Sequence, residues 1–282
     1  MFSAISGLQA HQTMLDVAAN DVANVNTIGF KGEMTTFQDA LSQQTRGASS
    51  PTATQGGTNA IQVGLGVQLG AIENQMGAGA TQQTGNPLDL AIQGDGFFRV
   101  ASGTAIASGS GYQYTRAGNF GLDSSGNLVT QGGLFVVGYK ANAGPPVTFP
   151  MTTANETKIT LPAGGSDMTI GSDGVVSYVD STGTTQKLAQ ISMAKFPNQA
   201  GLQRVSSNLY AETNNSGTPT NAVAGDTTSN MGTLQAGAVE MSNVDLAAEF
   251  TTMITAQRGY EANSRVISMA DEMLQNLVHI GQ

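Results

Sequence analysis

Residues 243–277 read NVDLAAEFTTMITAQRGYEANSRVISMADEMLQNL, and apolar side chains recur in this stretch at every seventh position. The series is Leu246, Met253, Tyr260, Ile267 and Leu274, with Phe250 on the same side. This spacing places the apolar side chains on one face of an α-helix, where they can pack on another helix. Ser242 or Asn243 is expected to cap the helix start. The stretch predicts a long amphipathic helix near the C-terminus.

A shorter stretch of the same kind, FSAISGLQAHQTMLDVAANDVANVNTI, occupies residues 2–28. Leu8, Leu15 and Val22 are spaced by sevens, and Ile5 lies three residues before Leu8, as in a coiled coil. Gly29 is expected to end this helix in the left-handed conformation. Neither helix would be stable alone with its apolar face in water. We therefore expect the two helices to pack on each other and on neighbouring copies of the chain.

Between the helices the apolar pattern changes to a period of two. Short apolar runs alternate with Asx-Gly turns, which predicts an all-β module. The predicted fold class is α+β, an all-β central module with N- and C-terminal amphipathic helices that form a coiled-coil-like inner domain. The predicted segments are 1–31 (N-terminal helix), 32–66 (a polar extended connection without strand period), 67–213 (β-rich outer domain), 214–242 (return connection) and 243–282 (C-terminal helix).

The composition excludes several classes of partner and chemistry. The net charge is −9 and only 11% of the 282 residues are charged, so we expect neither nucleic-acid binding nor attraction to an anionic membrane. No run of about 18 apolar residues predicts a membrane span, and no signal peptide is expected. Cys is absent and His occurs only twice, so the chain lacks the residues that thiol chemistry or a multi-His metal centre requires.

No catalytic arrangement stands out among the acidic residues. Asp271 and Glu272 are adjacent on the predicted helix and therefore point apart, and other acids lie in turns. These Asp-containing turns suit hairpins better than calcium, because none has the ligand series that ends in Glu. His11 and His279 can meet only if the terminal helices are antiparallel, and two imidazoles alone make no firm metal site. We predict no catalytic residue, cofactor or metal.

The chain carries a set of motifs that resemble one known family. At the N-terminus these are SGL at 6–8 and the stretch NDVANVNTIGFK at 20–31, and at the C-terminus EMSNVD at 240–245 and QRGYEANS at 257–264. Internal matches are VGLGV at 63–67, LDLAI at 88–92, GDGFF at 94–98 and YTRAGNF at 114–120. Together they strongly resemble the bacterial flagellar rod and hook proteins, over essentially the whole chain.

The resemblance implies a structural subunit that polymerises helically, with terminal helices in an inner tube and the β domain outside. The short N-terminus and single β module resemble those of compact hook proteins. We therefore expect the chain to be the subunit of the flagellar hook, a universal joint that transmits torque from the motor to the filament. The alternative is the distal rod, because the 32–66 tract is long. Implied partners are many copies of the same chain, distal rod and hook–filament junction proteins, the hook cap and the flagellar type III export apparatus. The implied location is the extracellular hook, or the periplasm or cell-wall layer for a rod.

Two groups of residues are candidates for function. The expected subunit-packing residues are Ile5, Leu8, Leu15, Val22, Leu246, Phe250, Met253, Tyr260, Ile267 and Leu274. The residues that the resemblance singles out are Asn20, Asn24, Gly29, Phe30, Asn243, Gln257, Arg258 and Asn263.

Overall fold

A computed structural model describes residues 2–52, 55–108, 111–142, 148–152 and 155–280 of the chain. The outermost residues of the two predicted terminal segments, 1 and 281–282, lie outside this range. Long helices begin and end the described chain, and nearly all other elements are strands. The predicted α+β class is confirmed.

The elements follow one another in this order. The first part contains α1 Phe2–Ala23, β1 Glu33–Asp39, β2 Ser42–Arg46, β3 Ile61–Gly64, β4 Val67–Asn74, β5 Thr81–Gln83, β6 Leu90–Gln93, β7 Phe97–Ala101, α2 Gly103–Ser108 and β8 Gln113–Thr115. The middle contains β9 Gly121–Leu122, β10 Leu128–Val129, β11 Phe135–Lys140, β12 Glu156–Lys158, β13 Ser166–Ile170, β14 Val175–Val179 and β15 Thr185–Lys195. The last part contains β16 Gln203–Ser206, β17 Leu209–Ala211, β18 Thr220–Val223, β19 Thr233–Ala236, β20 Ala238–Glu240 and α3 Leu246–Ile280.

The chain divides into two compact units, and their boundaries differ from the predicted ones. Unit 1 comprises residues 1–24, 32–75 and 244–282, and unit 2 comprises 25–31 and 76–243. Residues 67–74, assigned by sequence to the β-rich domain, therefore belong with the helices. The return connection predicted at 214–242 is part of unit 2, because it contains β18, β19 and β20.

In unit 1 the helices α1 and α3 pack antiparallel through small residues. Gly7 lies so close to Asn263 that a Cβ on Gly7 would come within 2.6 Å of the Asn263 Nδ2 atom. A Cβ on Gly259 would likewise come within 2.8 Å of Cδ2 of His11. The buried residues of α1 are Ala4, Gly7, Ala10, Val17, Ala18 and Asp21. Absent or short side chains therefore let the two helix backbones approach closely.

Both helices depart from the predicted bounds. Helix α1 ends at Ala23, five residues earlier than expected, and Gly29 lies in the loop beyond it with a positive φ of 68°. Helix α3 is capped by Asp245, whose carboxylate accepts the backbone N–H of Ala247 at 2.9 Å, and not by Ser242 or Asn243. His11 lies opposite Gly259, so the two histidines do not meet.

The strands within residues 33–74 form one long antiparallel hairpin, although the sequence of residues 32–66 shows no strand period. Strand β1 pairs with β4, and β2 pairs with β3. The pairing runs on between them, since Ala40 donates its N–H to the Gly66 carbonyl at 2.9 Å. The sequence of β2 is Ser-Gln-Gln-Thr-Arg, with polar residues on both faces. Such a strand is held by backbone hydrogen bonds. Its sequence lacks the alternation of apolar and polar residues by which strands are predicted.

Helix α1 packs along the inner half of this hairpin. The Ser6 hydroxyl accepts the N–H of Val67 at 3.3 Å, and the Asp21 carboxylate accepts the N–H of Glu33 at 2.8 Å. Contacts near both ends of α1 thus fix it along β1 and β4. We call the outer half, residues 41–65, the ribbon; its described residues, 41–52 and 55–65, are exposed.

Unit 2 is built on a twelve-stranded antiparallel sheet with the main order β13-β14-β15-β11-β7-β8-β17-β16. Inward residues of these strands form the main core, including Phe98, Val136 and Ile191. A second cluster contains Phe97, Tyr114, Phe196 and Tyr210, whose rings meet edge to face. One of the turns between its strands lies at residues 123–127, where the Asp123 carboxylate accepts the N–H of Asn127 at 2.7 Å.

Among the described helices, none is long and apolar enough to cross a membrane.

The close approach of α1 and α3 predicts a cost for added volume at Gly259. Gly259→Val is expected to destabilise the helix pair by about 1–3 kcal/mol through overpacking against His11, although Val has the better helix propensity. Thermal loss of helical circular dichroism measures the change. Ala262→Val, at an exposed position of the same helix, is the control and should cost less than about 1 kcal/mol. Equal melting of the two variants would contradict tight packing at Gly259.

Candidate assembly surfaces

The expected subunit-packing residues lie beside the small-residue contact, not in its centre. Five are half-buried, namely Leu8, Leu15, Val22, Met253 and Ile267. The other five are exposed, namely Ile5, Leu246, Phe250, Tyr260 and Leu274. Ile5 and Leu8 each follow a buried small residue by one position, which is a rotation of about 100° around the helix. The large apolar side chains are therefore still accessible to other chains.

The last part of α3 has no counterpart on α1. Helix α3 has 35 residues and α1 has 22. Since Gly7 faces Asn263 and α1 begins at Phe2, α1 extends only about five residues beyond Asn263 along α3. Residues 271–280, which we call the α3 tail, are exposed throughout. The apolar residues of the tail are Met273, Leu274, Leu277, Val278 and Ile280, the last with 87% of its surface exposed.

The ribbon is a second exposed apolar surface in unit 1. Leu41 is 82% exposed, and Ile61, Val63 and Leu65 are exposed as well. A two-stranded hairpin has marginal stability in water unless other structure packs on it. Exposed apolar patches of this kind mark interaction sites in soluble proteins.

The residues singled out by the resemblance fall into three groups. Gly29 and Phe30 are buried; Asn24, Asn243 and Asn263 are half-buried; Asn20, Gln257 and Arg258 are exposed. Asn24 donates its side-chain amide to the Asn20 carbonyl at 3.0 Å, so it satisfies a carbonyl at the end of α1. Asn263 fills the space beside Gly7. The pair of Arg258 with Glu261 at 3.3 Å is exposed and contributes little to stability.

A buried charge cluster joins three distant parts of unit 2. The Glu240 carboxylate accepts Lys31 Nζ at 2.5 Å on one oxygen and Arg116 at 3.2 Å on the other. All three side chains are at most 2% exposed. The N–H of Gly79 donates to the same carboxylate at 2.9 Å. Burial lowers the pKa of the Lys31 amino group, and the charge of Glu240 opposes that shift. We call Lys31, Arg116 and Glu240 the Glu240 cluster.

The segment that follows α1 is held as an extended peptide in unit 2. Gly29 donates its N–H to the Glu240 carbonyl at 2.8 Å. The carbonyl of Ile28 accepts Asn208 Nδ2 at 2.9 Å, and that of Lys31 accepts the Arg204 guanidinium at 2.6 Å. A Cβ on Gly29 would lie 2.5 Å from the Ala117 nitrogen, so only glycine fits. Residues 25–31 are thus an integral part of the β unit.

Sequence reasoning did not assign a role to any member of the Glu240 cluster. Lys31, Arg116 and Glu240 all stand inside motifs quoted for the resemblance, and charged residues are scarce in this chain. The presence of scarce charged residues inside these motifs is the sequence signal that could have indicated a buried role for them. The pairing was out of reach, because Lys31 and Glu240 are 209 positions apart.

The described residues contain no group of three or more His, Asp or Glu that could hold a metal ion. An open groove of about 490 Å³ in unit 2 is lined by Asn86, Asp89, Asn119 and Gln131 among others. Among the described residues that line the groove, Asp89 is the single carboxylate, whereas glycoside cleavage uses a pair of acids.

The arrangement defines a class of protein, one whose helices and ribbon expose apolar surfaces in the single chain. Three family profiles match it. Residues 1–31 match "Flagella basal body rod protein", residues 91–178 match "Flagellar hook protein FlgE/F/G D1 domain", and residues 235–280 match "Flagellar basal body rod FlgEFG protein C-terminal".

Individual relatives agree with these profiles. The flagellar basal-body rod protein FlgG of Bacillus subtilis is 47% identical over 281 residues, covering 99% of this chain and 98% of the relative. FlgG of Caulobacter vibrioides is 38% identical, covering 97% and 95%. The flagellar hook protein FlgE of Borreliella burgdorferi is 26% identical, covering 99% of each. The chain belongs to the FlgE/F/G family of flagellar rod and hook proteins.

Within the family, the relatives do not confirm the expected hook assignment and fit the rod alternative better. The alignment with the Borreliella hook protein runs over 444 positions, far more than the 282 residues of this chain. That hook protein therefore carries long additional segments. The Bacillus rod protein aligns over 281 residues, almost one for one.

The Glu240 cluster predicts a large effect of removing its anion. Glu240→Gln leaves two buried cations without a counter-charge, and we expect the free energy of unfolding of unit 2 to fall by about 3–5 kcal/mol. Chemical denaturation followed by near-UV circular dichroism of the tyrosines measures it. The exposed Glu212→Gln is the control and should change stability by less than about 0.5 kcal/mol. Adding Lys31→Met to Glu240→Gln should restore part of the loss; additive losses would contradict the shared cluster.

The tight contact at Gly29 predicts that replacing this glycine lowers the stability of unit 2 by more than its left-handed backbone conformation alone would. Gly133 has a similar positive φ, 79°, but nothing within 4 Å of an added Cβ, so it is a matched control. Gly133→Ala is expected to cost about 1–2 kcal/mol for the left-handed backbone. Gly29→Ala should cost about 1–3 kcal/mol more, because its methyl group meets the Ala117 backbone. The same denaturation assay compares them, and equal losses would exclude a steric role for this contact.

Proposed function

We propose that this chain is a structural subunit of the distal flagellar rod, which self-assembles into a straight helical tube and works as a drive shaft. The observation that carries the proposal is the 47% identity to a basal-body rod protein over nearly the full length of both chains. The hook alternative is supported by a relative of only 26% identity that has long additional segments. A rod subunit is a structural protein, so the proposal includes no catalytic activity.

The helices supply the first contact between subunits. Their mutual packing uses Gly and Ala positions and leaves large apolar side chains exposed, above all on the α3 tail. Burial of apolar surface yields about 25 cal/mol per Å², so these side chains favour contact with further copies of the chain. A contact between two different surfaces of one subunit does not close on itself and extends into an open helical filament.

The ribbon supplies a second contact, which favours a stiff shaft over a bendable joint. Its apolar residues Leu41, Ile61, Val63 and Leu65 need a covering partner, and its strand pairing is continuous with the hairpin half that packs on α1. When a neighbour holds the ribbon, bending the tube requires this packed contact to be broken. We therefore assign to the ribbon the role of resisting bending.

The proposal also defines partners and location. Copies of the same chain and adjacent axial proteins of the flagellum are the partners, and the flagellar type III export apparatus is the route of delivery. The location is the periplasm or the cell-wall layer. The hook cap and the hook–filament junction proteins would be neighbours only under the hook alternative.

Negative-stain electron microscopy of the concentrated, purified chain tests the proposal. Straight rigid tubes are expected. Curved or supercoiled tubes would favour the hook alternative, and an exclusively monomeric chain under all conditions would contradict self-assembly.

A shortened variant tests the role of the ribbon. Ala40 and Gly66 are hydrogen-bonded, so residues 41–65 can be replaced by an Asn-Gly turn without altering β1 or β4. Tubes of this variant should have a shorter persistence length than wild-type tubes. A full-length variant with Leu41→Ser, Ile61→Ser and Val63→Ser should behave in the same way, and one with Gln43→Ser and Gln62→Ser should match the wild type. Unchanged stiffness in the shortened variant would contradict the assigned role.

A further inference from the structure

The methionines of this chain differ sharply in exposure. The chain has 12 methionines. Met168, Met193 and Met231 are buried in the core of unit 2, and Met193 is 0% exposed. Met269 and Met273 of α3 are 55% and 65% exposed. An oxidant in solution can therefore reach the two helix methionines directly and the core methionines only after unfolding.

Met269 and Met273 lie on the surface that other copies are proposed to cover. They are four residues apart, so they are neighbours on one side of α3. Val266 precedes them, and Leu277 and Ile280 continue the same apolar stripe into the α3 tail. A thioether suits such a stripe because it is apolar and adapts its shape to a partner.

Oxidation changes the character of these side chains. A hydroperoxide transfers one oxygen atom to the sulfur: the O–O bond breaks, an S–O bond forms, the sulfur loses two electrons, and the rest of the oxidant leaves as an alcohol, or as water when the oxidant is hydrogen peroxide. The product, methionine sulfoxide, is polar, and cellular reductases can reverse it. Burying its oxygen against an apolar partner without a hydrogen bond is unfavourable.

We propose that Met269 and Met273 form an oxidation-sensitive site that controls assembly: hydroperoxides oxidise them in the unassembled chain, and the sulfoxides block packing on other copies. The proposal rests on the self-assembly described under the proposed function. In an assembled tube both sulfurs are covered, so the polymer is protected from the same oxidant. The site thus discriminates free subunits from assembled ones.

The test treats purified full-length chain with hydrogen peroxide, maps sulfoxides by mass spectrometry and measures polymer by sedimentation. Met269 and Met273 should react at least tenfold faster than Met193, and treated chain should lose most of its sedimenting polymer. Preassembled tubes should be oxidised at these two positions at least tenfold more slowly. The variant Met269→Leu/Met273→Leu should assemble after treatment, whereas the control Met34→Leu/Met151→Leu, which removes two other exposed methionines, should fail as the wild type does.

A second variant covers the case in which the leucine variant does not assemble. Met269→Gln/Met273→Gln imitates the polar sulfoxide and should not assemble without treatment, while its helical circular dichroism stays unchanged. Normal assembly of treated wild-type chain, or of the glutamine variant, would overturn the oxidation site and leave the proposed function intact. Failure of untreated wild-type chain to assemble under all conditions would overturn both.

Discussion

The Glu240 carboxylate is the interaction that holds the segment after the N-terminal helix and the segment before the C-terminal helix together within unit 2. It neutralises Lys31, which follows the N-terminal helix, and Arg116 at the end of a core strand, while its own residue stands shortly before α3. Two cations and one anion out of water are stable only when hydrogen bonds complete their surroundings, as the Gly79 N–H does here. The segments leading to both terminal helices are thereby held side by side in unit 2.

The second constraint is that α1 and α3 pack on each other through small residues and leave many of their large apolar residues exposed. A helix pair that buried its largest side chains internally would leave little apolar surface for other chains. Here Gly7 and Gly259 allow close backbone contact, and residues such as Phe250 and Leu274 remain exposed. Intramolecular pairing and association with other copies can therefore proceed at the same time, which suits a subunit that must polymerise. The low content of charged residues also leaves few charges to desolvate in such contacts.

The rod and hook proteins form one family, although a rod is stiff and a hook bends. The exposed ribbon is the feature of this chain that we propose to account for stiffness. Under the proposed function, a contact made only by helices would let the outer parts of neighbouring subunits slide, and a ribbon that reached a neighbour would add a packed contact away from the helices. The ribbon is continuous with β1 and β4, which pack on α1, so a force on the ribbon would act on the helix through these strands.

The sequence by itself determined that a helix stands near each end and that a β module lies between them, because heptad spacing and Asx-Gly turns are local properties of the chain. It also supplied the family through motifs at both ends. The ribbon escaped detection, because the β2 residues are polar on both faces and leave no alternation. Only the tertiary structure decided which face of each helix packs inward, since the small residues and the large ones lie one position apart and both fit a heptad. The tertiary structure alone brought Lys31, Arg116 and Glu240 together. A buried charge pairs with the charges that the fold places beside it, and the local sequence around each residue does not show which residues these are.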